Sequence, residues 1–239
     1  MDWFEVLHLV ADDGQTWQMR DYGQHDDSMF RVYDGRDPWF PDLNDGAFLE
    51  AGLLKQIRDD FRGRSVLEVA CGGGYWANFL QDVALAYTGI DASPRRIAFA
   101  RERVKWSMAA FHVASAYDLQ QVPGKFDAGL AVAWFSHVPT ERRDAFLSGL
   151  HKRLGAGAVV YLIDEAANDP NAFQKPGGLD HYKRVKSSDG TFDDIVDNAF
   201  SEDDYRRLFS GGVGDLQIGR SQTWTWVRYV IVDARFEFQ

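Results

Sequence analysis

The chain has 239 residues and carries 36 acidic against 26 basic side chains, a formal net charge of −10. Apolar residues make up 45% and charged residues 26%, which excludes wholesale disorder, collagen and coiled coil. Apolar runs such as Ala128–Phe135 fall far short of the ~20 residues that span a bilayer, and the acidic balance argues against a general nucleic-acid binder. Neither a membrane nor a nucleic acid is therefore an expected partner. The one cysteine, Cys71, excludes an internal disulfide framework and a multi-cysteine zinc site. The histidines have no ligand-like spacing, so no metal is expected. The opening MDWFEVLHLVADDG lacks a basic region and a cleavage signature, and a cytoplasmic location is the expectation.

In chain order, residues 1–50 are acidic and rich in aromatic side chains with weak periodicity. That much apolar surface, at ~25 cal/mol per Å², must pack on something. It reads either as extra core or as a lid over a pocket, with Tyr22, Tyr33 and Trp39 at the wall. Residues 51–164 alternate short apolar runs with helical patterns. Ser65–Ala70 reads as a buried strand, Tyr75–Val83 as a helix, and Ala86–Asp91 as a second strand ending in an acid. Ser93-Pro94 is an N-cap with proline at the first helical position, opening a helix towards Met108. Ala109–Val113 and Ala128–Ala133 are further strands. Thr140 is read as the cap of a helix ending at Gly155–Gly157, before a fifth strand, Ala158–Asp164. This alternation means βαβ crossovers and a parallel sheet. Residues 165–200 form a polar insertion whose FDDIVDN run reads as a solvated face. In residues 201–239, Ser201 and Asp204 form a capping-box pattern, and Gln222–Val232 alternates like a strand closing a hairpin with Leu216–Ile218. The whole is one α/β domain, Rossmann-like and doubly wound, with a mostly parallel seven-stranded sheet and an antiparallel C-terminal strand.

The informative segment is Val66-Leu67-Glu68-Val69-Ala70-Cys71-Gly72-Gly73-Gly74. An apolar strand runs into glycines and a helix follows at once. Glycine allows a sharp turn and close approach of a ligand to the backbone. Asp91, at the tip of the next strand, is placed to accept from ribose hydroxyls. Gly72-Gly73-Gly74-Tyr75-Trp76-Ala77 also fits a dinucleotide fingerprint. Glu68 argues against that reading, because a carboxylate there suits a cationic ligand better than a pyrophosphate.

VLEVACGGG resembles the first motif of class I S-adenosylmethionine-dependent methyltransferases, with Glu68 as the acid and Gly72 and Gly74 as the second and third glycines. Ala70 stands where the family has its first glycine. GIDAS (Gly89–Ser93) resembles the second motif, and LGAGAVVYLID the turn and strand of the fifth, with Ala156 in place of proline. The resemblance implies S-adenosylmethionine as cofactor, with S-adenosylhomocysteine as product. Glu68 would hold the methionyl ammonium, and Ala70, Gly72 and Gly74 would line the methionine portion. Asp91 would take the ribose diol and Ala92 touch the adenine. Ser115, Ala116 and Tyr117 would surround the adenine edge, with Asp118 as an alternative. Ala133 and Trp134 would pass between cofactor and acceptor. Phe135 and, from the insertion, Tyr182 would join Tyr22, Tyr33 and Trp39 around the acceptor. His137 has two readings, a proton acceptor or a residue that orders its loop. The implied activity is methyl transfer to oxygen or nitrogen of a small molecule. A protein or RNA methyltransferase, an NAD(P)-dependent oxidoreductase and a cofactor-binding module without catalysis remain open. The oligomeric state is not legible.

Overall fold

The computed structural model describes residues 51–166, 172–186, 190–221, 224–236 and 238. Strands β1 (Ser65–Val69), β2 (Ala86–Asp91), β3 (Ala109–Val113), β4 (Ala128–Val132) and β5 (Val159–Glu165) lie parallel. β9 (Val213–Arg220) and β10 (Trp224–Ile231) form the closing hairpin, and β10 inserts antiparallel between β5 and β9. The spatial order is β3-β2-β1-β4-β5-β10-β9, the doubly wound, seven-stranded arrangement expected from the sequence. β6 (Phe173–Gln174), β7 (His181–Lys186) and β8 (Phe192–Val196) form a separate antiparallel sheet within the insertion. None of the helices among the described residues is long and apolar enough to cross a membrane.

The two sheet faces explain the near-continuous apolar runs of the central strands, since a strand covered on both sides needs no polar alternation. One face packs under α1 (Ala51–Asp60), α2 (Ala77–Leu80) and α3 (Pro94–Arg103) through Ile57, Leu80, Ile97 and Ala100 against Val66, Tyr87 and Tyr161. The other packs under α4 (Arg143–Leu154) and α5 (Glu202–Leu208) through Phe146, Leu150 and Tyr205 against Leu67, Leu162 and Val227. α1 is also fastened by charge: Asp60 accepts from the Tyr161 hydroxyl at 2.6 Å and from Arg228 at 3.0 Å. Arg228 is nearly buried and also pairs with Asp215. These two carboxylates lift its pKa further above the arginine range, against the opposing pull of burial.

Three local expectations differ from the fold. The helix read over Tyr75–Val83 is only Ala77–Leu80, entered from a turn at Trp76 that has no capping side chain. The helix towards Met108 stops at Arg103, because Val104 turns extended to enter the core and Trp106 packs against the Tyr87 ring. Thr140 does not cap α4. Its N–H and hydroxyl both donate to Asp180 Oδ1, at 2.8 and 2.6 Å, and a single 3₁₀ turn precedes Arg143. The Ser93 cap and the Ser201–Asp204 capping box form as read.

The turn after β1 is left-handed at every second residue, at φ +55° for Ala70, +54° for Gly72 and +77° for Gly74. An L-residue in that region costs ~1–2 kcal/mol, so Ala70 carries strain that a glycine would not. Gly74 has a second constraint, because a Cβ there would meet the Phe111 ring at 2.8 Å. Ala70→Gly should therefore raise stability by up to ~1 kcal/mol. Gly74→Ala should lower it by ~1–3 kcal/mol through overpacking. Urea denaturation of the two variants measures both, and the opposite signs are the check.

Candidate active site

Strand order reverses between β1 and β4, because β2 and β3 continue to one side of β1 while β4 and β5 continue to the other. In a doubly wound sheet such a reversal opens a crevice at the carboxyl ends of the strands. Residues just inside the strand ends, Val69, Ile90 and Ala131, are buried. Residues just beyond them, Ala70, Gly72, Asp91, Ala92, Ser115 and Trp134, are half-buried, and Ala133 is exposed. The structure thus brings these seven predicted cofactor residues to one edge of the sheet.

Asp91 ties that edge together. Its Oδ2 accepts the Gly72 N–H and its Oδ1 the Ser93 N–H, both at 2.9 Å, so one carboxylate braces the turns after β1 and β2. Charge-assisted bonds of this kind are among the stronger ones. Arg96, which sequence reasoning passed over, lies nearly buried on α3 with its guanidinium beside Gly72, 3.3 Å from where a Cβ would stand. The Ser115 hydroxyl oxygen accepts the Tyr117 N–H at 3.2 Å, and Ala116 is buried. Tyr117 lies under the Arg142 guanidinium, 3.5 Å from its ring centre, and edge-on to Trp134. Asp118, the alternative to Ser115, is exposed. Ala133 is the second left-handed alanine of the edge, at φ +50°, with its N–H on the Ile163 carbonyl at 2.7 Å.

Glu68 and Gly74 sit differently from expectation. Glu68 is 2% exposed and takes the Tyr87 hydroxyl proton in a hydrogen bond. Burial, with Asp91 nearby, pushes its pKa from 4.5 up to about 8, against the Tyr87 bond that holds it down. At neutral pH it is therefore mostly a neutral acid behind the turn. Gly74 turns its bare α-carbon to Phe111 and Val104, serving the packing of the turn on β3. Tyr87 was not foreseen because it meets Glu68 only across the β1–β2 ladder, two residues from Glu68's partner Gly89.

The side expected to face the acceptor gathers around His137, which is 6% exposed. Its Nδ1 lies 2.6 Å from the Val196 carbonyl. A carbonyl only accepts, so Nδ1 carries the proton and Nε2 is the basic nitrogen. Burial holds the imidazole pKa below its ordinary value, with Lys183 adding to the fall and the Val196 carbonyl, Asp197 and Glu165 opposing it. Asp197 stands 3.7 Å from Nδ1 and 3.3 Å from the Lys183 ammonium. The FDDIVDN run is thus no solvated face: Ile195 and Val196 are buried and Asp197 joins the site. Asp164, wholly enclosed at the end of β5, accepts the Ser136 N–H at 3.0 Å. Burial raises its pKa to about 6, while the Ser136 N–H and hydroxyl restrain it.

Of the residues expected around the acceptor, Phe135 is corrected: it is wholly buried, stacked on Phe200 at 5.0 Å, and belongs to the core. An aromatic ring two residues before a buried histidine fills the space under the loop rather than facing out of it. Tyr182 stacks on Phe173 in the insertion sheet with the Lys175 ammonium 3.9 Å over its ring. Tyr22, Tyr33 and Trp39 lie outside the described residues, as does the whole segment 1–50 read as extra core or lid.

Fold and edge together define a Rossmann-like domain with a nucleotide-type crevice at its strand reversal. Residues 66–157 match a family model described as a methyltransferase domain. A ubiquinone biosynthesis O-methyltransferase of Thiobacillus denitrificans is 33% identical over 146 residues, covering 51% of this chain and 63% of that one. An uncharacterised methyltransferase of Synechocystis is 31% identical over 103 residues, 43% of this chain. The chain spans about half the length of that curated relative (47%). Among solved structures, a DhpI–SAH complex superposes with a TM-score of 0.64 at 24% identity, covering 81% of this chain and 88% of that one. The matched segment and the shared fold support reading residues 66–157 as an S-adenosylmethionine-dependent methyltransferase domain.

The raised Glu68 pKa has a measurable consequence for stability. The folded protein holds this proton more tightly than the unfolded chain, so the stability it contributes is complete below 4.5 and is lost as pH rises through about 8. Glu68→Gln keeps an acceptor for Tyr87 and does not titrate. Its melting temperature relative to the native protein should therefore climb between about pH 5 and about pH 8, as followed by calorimetry.

Proposed function

We propose that the protein methylates an oxygen of a small-molecule acceptor, using S-adenosylmethionine held across the tips of β1, β2 and β4. The observation that carries this reading is His137, a neutral imidazole with a fixed tautomer in the loop after Ala133. The residues of the edge fit the cofactor. Asp91, already shared between two backbone turns, keeps a carboxylate beside the crevice for a ribose diol. Glu68 stands behind the turn, where a cationic ligand would favour its charged form.

When bound, S-adenosylmethionine supplies a methyl carbon attached to positively charged sulfur, so the thioether needs no acid to leave. What remains for this chain is alignment and proton removal. Holding the reactants in line supplies ~7–11 kcal/mol of the barrier, and the strained, well-braced turns at Ala70 and Ala133 are rigid places to do it. As the acceptor oxygen takes the methyl group, its proton passes to His137 Nε2, and the imidazolium that forms is balanced by Asp197. The O-methyltransferase name of the Thiobacillus relative supports oxygen as the acceptor atom, and the depressed His137 pKa keeps the base unprotonated at neutral pH.

Asp91→Ala should weaken S-adenosylhomocysteine binding by ~1.5–3 kcal/mol, the worth of a hydrogen bond to a charged group. His137→Gln should leave that affinity unchanged and lower turnover ~10²–10⁴-fold on an accepted phenolic substrate. Titration calorimetry and a methyl-transfer assay over a panel of small hydroxylated acceptors measure the two. Binding of NADH in place of S-adenosylmethionine would overturn the reading.

A further inference from the structure

Beyond Ala133, the sheet edge continues across three more strands. Asp164 on β5 faces Thr225 on β10, and Thr225 faces Arg220 on β9. The row two residues further in, on the same face, is Leu162, Val227 and Ile218. An apolar face thus ends in one polar row, and Phe200 and Tyr205 cover it from the helical side. Three buried atoms here have no hydrogen-bond partner among the described residues: Asp164 Oδ2, Thr225 Oγ1 and Tyr205 Oη. Asp164 and Tyr205 are close enough to feel each other's charge. Buried polar groups are almost always paired, and each one left unpaired calls for an explanation.

A cavity of about 190 Å³ opens on this row, lined by Phe200, Glu202, Ile218, Gly219, Arg220 and Thr225. Its size is that of one ring, since an apolar cavity of about 150 Å³ admits benzene. Phe200 and Ile218 give it apolar walls, and Gly219 adds no side-chain bulk. Glu202 and Arg220 bring one charge of each sign, so the lining carries no net charge and favours a neutral guest. With strands ~4.8 Å apart, Thr225 lies ~10 Å and Arg220 ~14 Å along the edge from Ala133.

We propose that this cavity is a second acceptor subsite, which takes a neutral, hydroxyl-bearing ring at the end of the acceptor remote from the methylated oxygen. The proposal rests on the methyltransferase reading for its role, though not for its chemistry. A hydroxyl is the simplest group that both donates to and accepts from Thr225 Oγ1, the unpaired atom of the cavity's own lining. A site built this way rejects an analogue lacking the hydroxyl, because its own polar atoms are then left unpaired. Thr225 is the specificity-determining residue, since among the described residues it alone both lines the cavity and has a buried polar atom with no hydrogen-bond partner.

The test is a ligand-detected NMR titration of the full chain, saturated with S-adenosylhomocysteine, using phenol and toluene as probes. Phenol should bind about tenfold more tightly than toluene, as expected of a site that pairs a hydroxyl. Thr225→Val should abolish that preference by weakening phenol alone, and Thr225→Ser should restore it. Thr225→Val should also melt at a higher temperature, because it removes an orphaned hydroxyl. Should Thr225→Val not fold, Thr225→Ala is read by the same preference for phenol. Equal binding of the two probes, no binding of either, or undiminished phenol binding in the variant would overturn the proposal. A native chain that binds phenol selectively but not S-adenosylhomocysteine would overturn the methyltransferase reading and leave the subsite standing.

Discussion

The site depends on one carboxylate with two backbone donors. Asp91 accepts from Gly72 on one side and Ser93 on the other, joining the turns that leave β1 and β2. Those turns are left-handed or capped, and the Arg96 guanidinium is the other group beside Gly72 from the β2 side. The bonds to Asp91 therefore fix how the two turns lie against each other on the β1–β2 side of the crevice. Ala70 is held at positive φ within that arrangement, a local cost that the surrounding ladder must outweigh.

The remaining chemistry is distributed according to the sheet's two halves. Towards β3, charge is sparse: Arg96 lies beside the glycine turn, and Glu68 is buried with Tyr87. Towards β5, ionisable groups crowd together, with Asp164, His137, Asp197 and Lys183 brought in from four separate stretches of chain. Burial acts on this second group in one direction, favouring neutral forms: the carboxyl of Asp164 rises and the imidazole of His137 falls. A region where an acid's titration is raised to about 6 near a base held below its ordinary value suits proton transfer.

What the sequence disclosed followed the range of the forces involved. The strand–glycine–helix passage, the acid at the tip of β2, the Ser93 and Ser201 caps and the closing hairpin are set by neighbours along the chain, and all were legible. Glu68's partner, the meeting of Asp164 with Thr225 and the arrival of Asp197 beside His137 depend on ladder register and on a second sheet, which no local pattern encodes. Helix lengths failed for a related reason. Val104 has a side chain that a helix would tolerate, but packing in the core demanded an extended backbone there. Phe135 was misjudged because an aromatic residue in a loop looks the same in sequence whether it lines a pocket or supports one.

The insertion is held to the catalytic half by a small polar latch. Asp180 gathers the Thr140 N–H and hydroxyl and the Asn198 amide, and Asn198 in turn accepts the His181 N–H. Alongside that latch the Asn198 N–H donates to the Ser136 carbonyl, the Val196 carbonyl accepts from His137, and Ile195 and Val196 are buried, so the constraint falls on the inner strand of the insertion. The outer strands carrying Phe173 and Tyr182 are thereby left open to evolutionary exchange. New recognition surfaces can be grafted onto this frame while the machinery for handling the methyl donor is inherited intact.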